Sequence, residues 1–159
     1  MTQKYFFTTL AFLAVILCSS VAIAQDCINF TEPLIKEYAL KNWDENGDGC
    51  INKTEANNVR EIPAYAFMST DDNNIKTFKS LSDLDINNFP RIKYIGEYAF
   101  YKSRIQHLQL QQTIQSIDKK AFANTALCVV ELPNVESIGE SAFQYSSWIL
   151  ANNDDMPLL

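Results

Sequence analysis

The stretch IGEYAF (residues 95–100) recurs along the chain as IDKKAF (117–122) and IGESAF (138–143), at periods of 22 and 21 residues. IPAYAF (62–67) is a fourth copy, 33 residues before the first quoted stretch. Self-similarity at a period of about 20–29 residues is typical of leucine-rich solenoids, in which each repeat forms one coil. The sequence therefore predicts a β-rich α/β solenoid of about four short coils over residues 62–149.

The segments between these copies also align with one another. IQHLQLQQTIQSI (105–117) matches LCVVELPNVESI (127–138), and LSDLDINNFPRIKYI (81–95) is a looser version. The spacing of the apolar residues predicts short strands over Ile105–Gln111 and Leu127–Pro133, with apolar side chains pointing inward. Because one coil cannot bury its own apolar face, neighbouring coils must cover it.

Each copy of the motif ends in Ala-Phe, and we expect this pair to form the core. The small alanines leave room for a column of stacked rings, which the sequence places at Phe100, Phe122 and Phe143. The segment MSTDDNNIKTFKS after Phe67 interrupts the first repeat, and we expect its Asp71-Asp72 pair to be exposed. The tail 150–159 shows no capping helix, so Trp148 and Ile149 are expected to close the last coil.

These I-G-x-x-A-F repeats resemble BspA-like leucine-rich repeats, which are common in bacterial cell-surface proteins. The resemblance covers the repeats and, with the order of the preceding segments, about residues 30–148. It implies a solenoid with a non-catalytic surface that binds proteins or mediates adhesion. The chain has fewer repeats than many members of that group.

A second motif, DENGDGCINKTE (residues 44–55), precedes the repeats and matches the calcium-loop pattern D-x-[DN]-x-[DN]-G-x5-E at every defined position. Calcium prefers six to eight hard oxygen ligands, which a tightly wound loop supplies from alternate positions. The glycine of this pattern, Gly49, allows the left-handed backbone that the winding needs. The predicted ligands are Asp44, Asn46, Asp48, the carbonyl of Cys50, Asn52 and Glu55.

The flanking sequence predicts a helix on each side of this loop. Thr31 is a plausible cap for a helix that begins near Pro33, and Thr54–Arg60 can form a short exit helix that Pro63 ends. The unit resembles an EF-hand, and its calcium site resembles the dockerin kind, although a dockerin normally carries two such loops and only one is present here. EF-hands usually pair through the eighth loop residue, so Ile51, which has no second loop to meet, is expected to pack elsewhere in the chain. We therefore predict that this unit, residues 25–61, caps the N-terminal end of the solenoid.

The first 24 residues have the pattern of a cleaved signal peptide. Lys4 precedes an apolar stretch, Ala22-Ile23-Ala24 supplies small residues, and Gln25 follows as the expected first mature residue. A membrane anchor and a lipoprotein cut before Cys18 are the alternatives, but the unbroken apolar run is short for a spanning helix. The prediction is a secreted or cell-surface protein, with the periplasm as a further possibility.

Charge and cysteine content constrain the partner and the compartment. Loss of Lys4 with the signal peptide changes the net charge from −6 to −7, which disfavours nucleic acid and anionic lipid as partners. Three cysteines remain, an odd number for an oxidising compartment. Cys27 and Cys50 flank the same predicted helix and are expected to pair, whereas Cys128 lies in an apolar run and is expected to be a buried thiol.

The sequence predicts no enzyme, because it contains no nucleophile, zinc-protease or phosphate-loop motif. The single histidine, His107, alternates with Leu108 and is expected to face solvent. We expect a protein or cell-surface ligand to contact an exposed strip of outward strand positions. This predicted strip consists of Asp83, Asp85, His107, Gln109, Gln111, Val129 and Glu131. The alternative function is a dockerin-like scaffold component, or a non-catalytic fragment of a larger extracellular enzyme system.

Overall fold

The computed structural model describes residues 26–70, 76–78 and 81–147. The predicted signal peptide (1–24), the Asp71-Asp72 pair, Trp148, Ile149 and the tail 150–159 lie outside the described residues. The elements in chain order are α1 (Pro33–Asn42), α2 (Lys53–Asn58), β1 (Glu61–Ile62), β2 (Met68–Thr70), β3 (Lys76–Phe78), a 3-10 turn (Ile86–Asn88), β4 (Tyr94–Ile95), β5 (His107–Gln109), β6 (Ser116–Ile117), β7 (Val129–Glu131) and β8 (Ser137–Ile138).

Two parallel sheets run along the stack of coils, as expected for a solenoid. The larger has the order β1-β4-β6-β8, and the smaller pairs β5 with β7. In the larger sheet the register places the four motif isoleucines side by side, namely Ile62, Ile95, Ile117 and Ile138. The first three are buried and the fourth, on the last described coil, is half-buried. The predicted leucine-rich solenoid is therefore present.

The strands of the smaller sheet are shorter than the sequence predicted. Strand β5 has three residues where seven were expected over Ile105–Gln111, and β7 has three within Leu127–Pro133. The alternation itself is correct, since Leu108 is buried while His107 and Gln109 are exposed. The chain turns within a few residues because it must complete a coil and return to the next sheet.

The phenylalanine column forms as predicted. The ring centroids of Phe100 and Phe122 are 5.1 Å apart with 9° between the ring planes. Those of Phe122 and Phe143 are 5.5 Å apart with 5° between planes. Phe67 extends the column with a tilted contact to Phe100 at 5.3 Å. The motif alanines beside these rings, Ala99, Ala121 and Ala142, are buried, so each small residue leaves space for the neighbouring coil.

Successive coils are also joined through the turn that follows each motif isoleucine. The fourth motif residue has a left-handed backbone in every copy, with φ of 58°, 56°, 52° and 59° at Tyr65, Tyr98, Lys120 and Ser141. In three copies the N–H of this residue donates to a backbone carbonyl of the next coil. For example, the N–H of Tyr98 donates to the carbonyl of Lys119 at 3.1 Å. These bonds between coils offset the cost of a left-handed conformation in residues other than glycine.

The second motif position allows close approach of two coils where it is glycine. A Cβ atom added to Gly96 would lie 2.4 Å from the backbone nitrogen of Ala64 on the preceding coil. Gly139 has the same relation to Lys119, at 2.5 Å. Glycine is therefore required at these two positions by the distance between the coils.

The N-terminal helices share the core of the solenoid. Ile35 and Ala39 of α1, Ile51 of the loop and Ala56 of α2 are buried in the same cluster as the repeat residues. The burial of Ile51 confirms the expectation that it packs within the chain. The Trp43 ring meets Phe89 edge-on with centroids 4.8 Å apart, which joins the end of α1 to the repeats.

Two local predictions for these helices need correction. Glu32, not Thr31, caps α1, because its carboxylate accepts the N–H of Leu34. The exit helix α2 spans Lys53–Asn58, one residue earlier at its start and two earlier at its end than the predicted helix. Asn52 sets the start because its side chain caps the first turn.

The prediction of a buried Cys128 is wrong. Cys128 is exposed, and its thiol donates to the carbonyl of Gln106 on the preceding coil at 3.3 Å. Only Leu127 and Val130 of this apolar run turn toward the core, with Leu127 fully buried. The apolar character of the run therefore did not show which of its residues face the core and which face solvent.

The interruption of the first repeat forms an antiparallel ladder. Strand β2 pairs with β3 in the register Met68↔Phe78 and Thr70↔Lys76. The two strands of the interruption thus lie side by side, and the described chain continues at Leu81, a buried residue.

Truncation of the central ring tests the column. We expect Phe122→Ala to lower the free energy of unfolding by about 3–5 kcal/mol, since the ring is fully buried and stacked on both faces. Tyr145→Ala is the control, because this ring is 67% exposed and its loss should change stability by less than about 0.5 kcal/mol. Urea denaturation of both variants measures the effect, and similar losses in the two would contradict the column.

Candidate functional site

The acidic loop, residues 44–55, is tightly wound around the carboxylate of its first residue. The N–H of Gly47 donates to Asp44 Oδ1 at 2.8 Å, and that of Gly49 donates to Asp44 Oδ2 at 2.9 Å. Both glycines have positive φ, 71° and 79°. The predicted left-handed conformation of Gly49 is confirmed, and a residue with a side chain would be strained there.

The middle of the loop is held by side chains bonded two residues along. Asn46 Oδ1 accepts the N–H of Asp48, and Asp48 Oδ1 accepts the N–H of Cys50, each at 2.9 Å. The amide Nδ2 of Asn46 also donates to Asp48 Oδ2 at 2.9 Å. The side chains at loop positions 3 and 5 therefore organise the turn themselves.

The end of the loop is also the start of α2. The Asn52 side chain accepts the N–H groups of Thr54 and Glu55, and Glu55 Oε2 accepts the N–H of Asn52 at 2.9 Å. This reciprocal pair is a capping box. Glu55 is only 3% exposed, and its Oε1 accepts the N–H of Glu45 at 3.1 Å. A buried carboxylate thus closes the loop back onto its beginning.

The donor chemistry of the loop suits calcium, but its carboxylates bond to the loop backbone in this conformation. Within residues 26–70, 76–78 and 81–147, no three His, Cys, Asp or Glu side chains form a group that could hold a metal ion. The predicted ligand set also includes the side-chain oxygens of two asparagines and the backbone carbonyl of Cys50, which do not belong to those four side-chain types. A carboxylate has about four lone-pair positions, so the bonds from N–H groups leave further acceptor capacity on Asp44, Asp48 and Glu55.

The predicted disulfide is present. Cys27 and Cys50 are bonded, and Cys50 occupies position 7 of the acidic loop. The structure adds a backbone contact that the sequence did not reveal: the N–H of Ile28 donates to the carbonyl of Ile51 at 2.8 Å. Cys27 and Asn52 form an antiparallel bridge at the same place. The segment before α1 therefore lies along the loop.

Four residues of the predicted strip lie together on the smaller sheet. His107 is opposite Val129, and Gln109 is opposite Glu131. All four side chains are exposed, Val129 by 44%. Gln109 Nε2 donates to Glu131 Oε2 at 2.8 Å. We call these four residues the outer face.

The other three predicted residues make contacts within the chain. The Thr31 hydroxyl lies 3.1 Å from Asp83 Oδ2 and 2.8 Å from Asp85 Oδ1. The N–H of Glu32 donates to Asp85 Oδ2 at 2.6 Å. Gln111 Nε2 donates to the carbonyl of Ile86 at 3.0 Å. Asp83 and Asp85 thus hold the start of α1 against the repeats, and Gln111 braces the 3-10 turn.

Glu32 completes this polar latch, which we define as Thr31, Glu32, Ser82, Asp83 and Asp85. Its buried carboxylate accepts the N–H and the hydroxyl of Ser82, both at 2.8 Å. Burial alone would raise the pKa of Glu32, but the hydrogen bonds from Ser82, Leu34 and Asp83 outweigh it and lower the pKa below 4.5. Glu32 was not predicted from the sequence; the signal for this helix start is Pro33, because proline is common at the first helical position.

Comparison with models of protein families shows the family to which the chain belongs. The family described as BspA type leucine-rich repeat region (6 copies) matches residues 50–152. The chain belongs to this family. The match begins inside the acidic loop, so it includes α2 and all the coils described above. No curated protein and no solved structure matches the chain.

Membership in the BspA-type family supports a general function. Repeats of this family generally form non-catalytic modules for protein interaction, and the proteins are typically secreted or on the cell surface. Among the described residues, no helix has the length and apolar character that a membrane crossing requires. The family match does not extend to the segment before residue 50, where most of the acidic loop lies.

The polar latch predicts a pH-dependent stability. The folded-state pKa of Glu32 is lowered, so the stabilisation from its carboxylate is present above pH 4.5 and is lost as the pH falls through the folded-state pKa. At pH 7 we expect Glu32→Gln to lower the free energy of unfolding by about 1–3 kcal/mol, because a charged acceptor is lost. This difference from the wild type should shrink as the pH falls below 4.5.

Urea denaturation at pH 7 and at successively lower pH measures this difference. Glu136→Gln, which changes an exposed carboxylate on a later coil, serves as the control and should show little effect at any pH. A pH-independent gap between Glu32→Gln and the wild type would contradict the role of the ionised latch.

Proposed function

We propose that this BspA-type protein is a secreted or cell-surface interaction module. Its solenoid presents the outer face to a protein or cell-surface ligand, and calcium bound to the acidic loop stabilises the N-terminal end. The observation that carries the first part is the fixed register of His107 with Val129 and of Gln109 with Glu131 on adjoining coils. A surface held by backbone pairing keeps its shape when a partner binds.

The chemistry of the outer face suits a protein partner. Val129 exposes an apolar side chain beside His107, and the Gln109–Glu131 pair adds donors and an acceptor next to it. Protein interfaces combine an apolar centre with a polar rim in this way. Beneath this face, Leu108 is buried and Val130 packs against the core, so the strands that carry the exposed residues are anchored from below.

Calcium binding is the finer part of the proposal. The ligands would be Asp44, Asn46, Asp48, the Cys50 carbonyl, Asn52 and Glu55. Three observations support this set: all donors are oxygens, Gly49 has the required backbone, and the Glu55 carboxylate is buried against the start of the loop. The ion would neutralise the carboxylates among these ligands, because the basic residue of the loop, Lys53, is paired with Asp26. Its expected role is structural, because α1 and α2 share the solenoid core.

Calorimetric titration tests the metal site. The secreted chain should bind calcium with measurable heat, and Asp44→Ala and Glu55→Ala should abolish the heat or weaken binding strongly. Calcium at 100 times its dissociation constant should stabilise the folded chain by about 2.7 kcal/mol. Asp118→Ala, which removes an exposed carboxylate from a coil, should bind as the wild type does. Equal heats in all four proteins would exclude the site.

Capture of a partner on the immobilised chain tests the outer face. The immobilised chain is exposed to surface extracts of its own host, and the retained protein is quantified. Val129→Glu should reduce retention about tenfold or more, because a charge in the apolar centre of an interface costs binding energy. Tyr145→Glu changes an exposed ring on a turn and should leave retention unchanged. Retention that is insensitive to Val129→Glu would remove the outer face as the binding surface.

A further inference from the structure

A short segment before α1 contacts the acidic loop in four ways. Cys27 is bonded to Cys50, the N–H of Ile28 donates to the carbonyl of Ile51, and Cys27 forms an antiparallel bridge with Asn52. Asp26 and Lys53 add an exposed ion pair. Residues 26–28 therefore run antiparallel to residues 50–53, like a strand added to the side of the loop.

The contacted carbonyl belongs to the eighth residue of the loop. In paired helix–loop–helix units, this residue makes backbone contact with the same residue of a second loop, and each loop stiffens the other. Here Ile51 is 1% exposed, and its carbonyl accepts a hydrogen bond from Ile28 at 2.8 Å. The backbone contact that a second loop would make is thus made by a segment of the same chain.

We propose that residues 26–28, tethered by the disulfide, take the place of a second loop and hold the acidic loop in its calcium-binding form. This inference rests on the calcium site proposed above and extends it by naming Cys27 and Ile28 as positioning residues. They contribute no ligand. They fix the backbone at Cys50 and Ile51, next to the carbonyl that is proposed as a ligand.

The tether makes calcium affinity dependent on the redox state. Cys27 is exposed and Cys50 is half-buried, so a small dithiol can reach the bond. Reduction transfers two electrons and two protons to the sulfurs, giving two thiols, while the dithiol closes to its own disulfide. The backbone contacts with Ile51 and Asn52 and the exposed Asp26–Lys53 ion pair must then hold the segment without a covalent bond. If the wound loop is less populated, the apparent dissociation constant rises in inverse proportion to that population.

Titration of the oxidised and the dithiol-reduced chain with calcium alone tests the proposal. We expect reduction to weaken calcium binding roughly tenfold or more and to accelerate hydrogen exchange at the Ile28 amide. Exchange at the Phe122 amide, which bonds to Ala142 within the stack, should stay slow. This internal control shows that the coils remain folded in the reduced chain.

A pair of variants separates the backbone bond from the disulfide. Ile28→Pro removes the N–H that reaches Ile51, whereas Ile28→Ala keeps it and removes only the side chain. Both lose apolar contact, so the difference between them reports the loss of the N–H together with the backbone restriction that proline imposes. We expect Ile28→Pro to bind calcium more weakly than Ile28→Ala in the oxidised state.

The outcomes distinguish this inference from the proposal on which it rests. Calcium binding that is equally tight in the oxidised and reduced chains, and equal in the two Ile28 variants, would overturn the role of residues 26–28 and leave the calcium site standing. No binding to the oxidised wild type would overturn the calcium site and, with it, this inference. Weaker binding on reduction together with faster exchange at Ile28 alone would support both.

Discussion

Every coil of this solenoid has apolar surface on the side that faces its neighbour, and stacking of the coils buries that surface. The ring of Phe122 shows the constraint most directly, because Phe100 covers one face and Phe143 the other. The backbone obeys it as well, since Phe100 and Phe122 donate their N–H groups to Ala121 and Ala142 on the next coil, both at 2.8 Å. The stability of one coil is therefore inseparable from that of its neighbours. The first coil, which has no preceding coil, needs a different cover.

The helix–loop–helix unit supplies that cover through two unlike sets of contacts. Trp43 against Phe89 is apolar and depends little on solution conditions. The latch of Glu32 with Ser82 and of Asp85 with Thr31 is polar, and its Glu32 contact depends on an ionised carboxylate. Acid should therefore weaken the polar attachment before it affects the apolar one. The disulfide joins Cys27 to the loop at Cys50 and belongs to neither set.

The repeats were the most predictable part because their periodicity acts directly on burial. Isoleucines 22 or 21 residues apart must fall at the same place on successive coils, and Ile95, Ile117 and Ile138 do so. Cys27 with Cys50 was also predictable, since both flank one helix. Glu32 and the pairing of Ile28 with Ile51 were not, because each depends on a contact with a segment whose position only the folded chain fixes. Cys128 was wrongly predicted to be buried, because an unbroken apolar run does not show which of its residues point toward the core. The loop motif predicted the left-handed Gly49 correctly, but a pattern of letters cannot show whether the carboxylates converge on a common centre.

The left-handed turns show how the fold separates structural positions from variable ones. Tyr65, Tyr98, Lys120 and Ser141 share one backbone conformation although their side chains have three different chemistries. Because the bond between coils uses only the backbone N–H, the side chain at this position does not determine the turn. The rings of Tyr65 and Tyr98 stack at 5.2 Å, and one residue earlier in the motif Lys119 pairs with Glu140 at 2.7 Å. Such outer contacts add to the stack without defining it, since the inner isoleucines and phenylalanines already set its register. The side chains on these outer positions can therefore differ from coil to coil while the same buried column continues through the stack.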